Sequence, residues 1–119
     1  LRRLLAALEV ASAGDWPRTR PVSFATMFAL AGHHWQIDSD ALRLAFAWSW
    51  LENQVAAATK LVPLGQTEAQ RILLALTPHL EAACQTAARI DDADIGTSLP
   101  GLAILSARHE TQNVRLFSS

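Results

Sequence analysis

The sequence has no tyrosine, one cysteine and one methionine, and only five glycines and five prolines in 119 residues. A single thiol, Cys84, makes no internal disulfide, so a disulfide scaffold is excluded and the chain reads as reduced and intracellular. An excess of one charge is also missing. Ten basic and eleven acidic residues give a formal charge of −1, too little of a basic field to hold nucleic acid or an anionic membrane. Only 18% of the chain is charged and 50% is hydrophobic, which excludes a disordered chain. β-Branched and aromatic residues are sparse outside a few places, which disfavours an all-β domain. No run of 18 apolar residues exists. Arg43, Glu52, Asn53, Gln54 and Lys60 interrupt the most apolar stretch, so a membrane span is excluded too. The length suits one compact domain.

What is present is helical periodicity carried by Ala and Leu, which together make up about a third of the chain. Leu1, Leu4, Leu5 and Leu8 follow the i, i+3, i+4, i+7 spacing of one helix face, with Arg2, Arg3 and Glu9 elsewhere. No cap precedes this pattern, which predicts a helix entered midway and a chain that is part of something longer. The interrupting charges exclude a signal peptide. Pro21 fits the first turn of a second helix, expected from Val22 to about Gly32, with Phe24, Phe28 and Ala31 on one side. Asp38 or Ser39 caps the third, Asp40 to about Leu61, roughly 33 Å long. Its first half is apolar almost all round and is expected to be covered on several sides. Pro63 ends it. A fourth helix starts at Thr67, with capping-box spacing to Gln70, and buries Ile72, Leu73, Leu76 and Leu80. Thr77-Pro78 either kinks it or opens a fifth helix running to Ile90. A solvated acidic loop, 91–96, precedes a last helix from Pro100 to about Glu110, with Leu102, Leu105 and Ile104 packing inward. The prediction is an all-α bundle of about five to six helices over residues 1–110, N-terminally incomplete. A C-terminal tail, 111–119, is expected to be mobile in the free protein.

Motifs for chemistry are incomplete. His109-Glu110 lacks the second histidine of a zinc protease, because position 113 is Asn. His33 and His34 are adjacent and point apart on a helix, and His79 stands alone. Cys84 sits in an Ala-rich stretch and reads as a small buried hydrophobe without a base or oxyanion site. Leu64-Gly65-Gln66-Thr67 lacks the Gly-Lys-Ser/Thr ending of a phosphate loop. Asp91, Asp92 and Asp94 lack the terminal Glu of a calcium loop. Neither a catalytic site, a cofactor site nor a resident metal is expected. Trp48 and Trp50 point about 200° apart, so at most one faces the core.

Two segments resist a purely structural account. One is Trp50-Leu51-Glu52-Asn53-Gln54, followed by Lys60-Leu61-Val62-Pro63-Leu64-Gly65-Gln66-Thr67. The other is Ser106-Ala107-Arg108-His109-Glu110-Thr111-Gln112 with Arg115-Leu116-Phe117, a mix of polar groups and apolar anchors suited to folding onto a partner. With these motifs in this order, nearly the whole chain resembles the C-terminal half of the urease accessory protein UreF family. The resemblance implies an all-helical, non-enzymatic cytoplasmic chaperone for nickel insertion. Its implied partners are a second accessory protein (UreD, also called UreH), the GTPase UreG and apo-urease, with regulation of the GTPase and a homodimer also implied. By position, Lys60, Pro63 and Gln66 match the family's Lys-x-x-Pro-x-x-Gln signature, and Arg108, His109, Glu110, Gln112, Arg115 and Leu116 match its tail. These nine are the expected partner-binding residues. Asn113 stands where an aromatic Tyr is common in the family and Ser118 where Arg is common, losing stacking area and a charge. The competing reading is a generic helical interaction module without a role in metal delivery. A weak nickel contact through His109 or His33-His34 is a further alternative.

Overall fold

The computed structural model describes residues 1–10, 12–16, 21–96, 99–109 and 111. They form five α-helices and no strand: α1 (Arg2–Ala7), α2 (Phe24–His34), α3 (Ser39–Leu61), α4 (Gln66–Ala87) and α5 (Pro100–His109). A 3₁₀ turn, Asp92–Asp94, lies between the last two. The all-α class is therefore as expected, at the lower helix count, because Pro78 lies inside one continuous α4. Pro78 has no N–H to give the carbonyl of Leu74. One turn back, the Thr77 hydroxyl donates to the Leu73 carbonyl at 3.0 Å.

The helix ends show how local chemistry sets the boundaries. Pro21 does not open α2. Ser23 caps it, its Oγ accepting the Thr26 N–H at 3.0 Å, and the helix begins two residues later than expected. α1 and α2 both close in the same way. The residue after each C-cap, Glu9 (φ 56°) and Gln36 (φ 54°), takes the left-handed conformation. The Val10 N–H then reaches back to Leu5 O at 3.0 Å, and the Ile37 N–H to Gly32 O at 2.9 Å. This is the hydrogen-bond pattern of a Schellman motif, closed by Glu and Gln where glycine is usual. Gly32 lies one turn earlier and is buried, serving packing instead. A β-carbon there would fall within about 3 Å of the Leu42 side chain, so α2 and α3 approach closely at this point. Thr67 and Gln70 do not form a capping box. Gly65 is the N-cap of α4, with no side-chain cap hydrogen bond, so the helix starts at Gln66.

Asp38 caps α3, its carboxylate accepting the N–H groups of Asp40 at 2.8 Å and Ala41 at 3.3 Å. These two bonds hold the carboxyl below its ordinary value. A depressed carboxyl contributes stability above the usual carboxylate range, and that contribution is lost as pH falls through the lowered value. Asp38→Ala is therefore expected to lower the melting temperature at neutral pH, and Asp38→Asn, which can still cap, to lower it less. The gap between wild type and Asp38→Asn should narrow as pH falls through the lowered carboxyl value. Thermal melts followed by circular dichroism across pH check both.

The apolar residues bury in two separate clusters. Leu5, Val10, Ala13 and Met27 form one, backed by Val22, Leu30 and Ala31. Leu51, Val55, Ala69 and Leu73 form the other between α3 and α4, backed by Trp48, Ile72 and Leu80. Phe28 of α2 meets Phe46 of α3 edge-on at 5.4 Å, with Phe24 6.1 Å from Phe46. Trp48 and Trp50 divide as expected, the first half-buried and the second 59% exposed.

Three burial expectations fail. The first half of α3 is covered only where α2 and α4 pack, leaving Leu44 and Trp50 exposed. Leu76 sits at the exposed edge of α4, and Ala69 takes the buried place, because the closely packed hairpin favours a small side chain. Leu102, Ile104 and Leu105 do not pack inward: α5 buries none of its residues.

Candidate partner-binding surface

The corner between α3 and α4 assembles three of the expected residues within seven positions. Val62 leaves α3 in extended conformation (φ −124°, ψ 145°), its N–H still bonded to Ala58 O at 2.9 Å. Pro63 follows, and Leu64 N–H closes a tight turn onto Val62 O at 2.7 Å. Leu64 is half-buried and pins the turn, while Gly65 starts α4. Lys60, in the last turn of α3, places its charge at the negative end of that helix dipole. Gln66 is the first residue of α4. Lys60, Pro63 and Gln66 are all exposed, beside Leu61 (68% exposed) and Val62 (51%). Leu61 and Val62 went unremarked in the sequence as surface anchors, although their position beside Pro63, past the buried stripe of α3, is the signal that places them outside.

The polar run beside Trp50 is satisfied outward. Asn53 Nδ2 donates to Ser49 O at 2.8 Å, and Glu52 and Gln54 are exposed. Arg108 and His109 form the basic last turn of α5, and the Arg108 carbonyl accepts both the N–H and the hydroxyl of Thr111. No extended packing joins α5 to the α3–α4 corner. Glu110, Gln112, Arg115 and Leu116 lie outside the described residues, as do Asn113 and Ser118.

Among the described residues no group of three or more metal-ligating side chains comes together. His33, His34 and His79 are exposed, and His34 stacks edge-on with Trp35 at 5.6 Å. Cys84 is half-buried, less covered than a core hydrophobe. Nor, among the described residues, is any helix long and apolar enough to cross a membrane. No buried polar or charged side chain is present among them either. The described residues thus form an all-helical body with an exposed polar-apolar corner.

The UreF family model matches residues 1–77. The urease accessory protein UreF of Teredinibacter turnerae is 51% identical over 119 residues, all of this chain and 53% of that protein. Those of Hahella chejuensis and a Marinomonas species are 50% and 48% identical over the same 119 residues, covering 53% and 51% of their lengths. No solved structure matches. The chain belongs to the UreF family of urease accessory proteins, and it spans about half the length of the curated relatives it matches.

Proposed function

We propose that this chain is the C-terminal half of a non-enzymatic scaffold for nickel insertion. Together with UreD/UreH it recruits the GTPase UreG to apo-urease in the cytoplasm, and GTP hydrolysis is coupled to delivery of the metal, which is cargo and not a resident cofactor. Family membership carries the reading. The surface chemistry supports it: the α3–α4 corner offers Lys60, Pro63 and Gln66 beside two exposed apolar side chains, a combination of polar specificity and apolar anchor suited to a protein partner. In this proposal residues 1–110 form the helical domain and 111–119 a tail that orders on UreD/UreH. Within that tail Arg115 offers a bidentate guanidinium to a carboxylate or phosphate, and Leu116 an apolar anchor. Arg108, His109, Glu110 and Gln112 complete the platform, and the protein acts as a homodimer.

The expected result is that Arg115→Ala leaves the helical signal and melting temperature unchanged and weakens capture of UreG by a UreF–UreD complex at least about tenfold, the size of a lost charge-assisted contact. Undiminished capture removes Arg115 from the platform.

A further inference from the structure

Phe28 of α2, Leu42 and Phe46 of α3, and Ala83, Cys84 and Ala87 of α4 line an open, almost wholly apolar groove of about 440 Å³. The last helix carries the complementary problem. Leu99, Leu102 and Leu105 are 72%, 60% and 63% exposed, and α5 buries nothing. At about 100° per residue Leu102 and Leu105 fall about 60° apart on one face of α5, with Ile104 on the other side, and Leu99 immediately precedes the helix. A ten-residue helix is shorter than the roughly 12–15 residues at which isolated helices become even marginal in water, so α5 needs a packing surface.

We propose that α5 folds back along this groove as a latch, seating Leu99, Leu102 and Leu105 against Phe28, Phe46 and the small side chains of α4. The chain's connectivity selects this occupant. The groove runs beside the last turns of α4, and twelve residues, 88–99, connect Ala87 to Pro100. A segment of that length reaches about 40 Å when extended, more than the 36 Å middle dimension of the molecule. The 3₁₀ turn at Asp92–Asp94 uses part of that reach and still leaves ample length, because the groove adjoins the point where the connector departs. Tethering holds α5 near the groove at an effective concentration in the millimolar range, which no second copy matches at micromolar protein. Docking turns Ile104 outward and gives the end of α5 a defined place on the body of the domain. Closure of the latch is independent of any role in nickel delivery.

Cys84 is the chain's one cysteine and lines the groove, so it serves as a built-in probe. In the intact protein, Leu99→Cys, Leu102→Cys and Leu105→Cys are introduced one at a time. Each is oxidised mildly at micromolar protein, and the disulfides are located by peptide mass mapping. At least one of the three is expected to link to Cys84 within the same chain, with a yield independent of protein concentration. Ile104→Cys, on the outer face, is expected to link on the order of tenfold more slowly, as its geometry keeps the sulfurs apart. Equal rates for inner and outer positions overturn the proposal, since random collision then explains them. Cross-links between chains overturn it in favour of a second copy in the groove. The absence of any link to Cys84 overturns it in favour of a groove covered by other protein.

Discussion

Leu73→Ala is expected to lower the unfolding free energy by about 2–5 kcal/mol, the range for deleting a buried leucine side chain and leaving its cavity. Leu73 is 4% exposed and packs in the four-residue cluster that joins α3 to α4. That cluster has few members, so the surrounding side chains have little capacity to close the gap. Against a total of about 5–15 kcal/mol for an ordinary domain, the loss is a large fraction. The neighbouring position is an internal control. Leu74 is 70% exposed, and Leu74→Ala changes no burial and little helix propensity, so it should fall within about 0.5 kcal/mol of wild type. Urea denaturation of both variants, with the slope checked for constancy, reads the contrast. Equal effects at the two positions would mean that α4 presents a different face to α3.

The second large effect concerns the tail. Deleting residues 111–119 is expected to abolish recruitment of UreG by the complex with UreD/UreH, and with it urease activation in a host lacking its own copy of the gene. The melting temperature should remain that of wild type, because both buried clusters and the side chains packed against them lie before residue 81. The combination separates a recruiting tail from a stabilising one. Full urease activation by the truncated protein would make the tail dispensable, with recruitment carried by the helical domain.

Most of the fold was legible in the sequence because its signals are local. Ala-Leu periodicity, Asp38 before α3 and Pro63 after it each act within a turn or two, and the helices stand close to where these place them. Errors gathered where a local signal competes with another. Pro21 is an acceptable first-turn residue, yet Ser23 offers a side-chain oxygen and Pro21 does not. Thr67 has capping-box spacing, but Gly65 already leads the chain into α4 from the turn that Pro63 sets. Burial was harder to read, since it depends on partners that a sequence does not place. The apolar turn around Leu44 and Trp50 signals coverage without saying by what, and the leucines of α5 signal the same. Of the candidate site, Lys60, Pro63 and Gln66 converge because only six positions separate the first from the last. The family resemblance singled them out, and helix periodicity alone would have passed over them.

The two clusters share no residue, and each closes within its own stretch of chain: residues 5–31 for one and 48–80 for the other. Between them stand the contacts of Phe24 and Phe28 with Phe46, and of Gly32 with Leu42. Two clusters joined only through this aromatic seam are expected to open as separate cooperative units, which hydrogen exchange would read as two levels of protection. If a partner binds the α3–α4 corner as proposed, it would engage the second cluster's unit, and its effect on protection should not extend to α1.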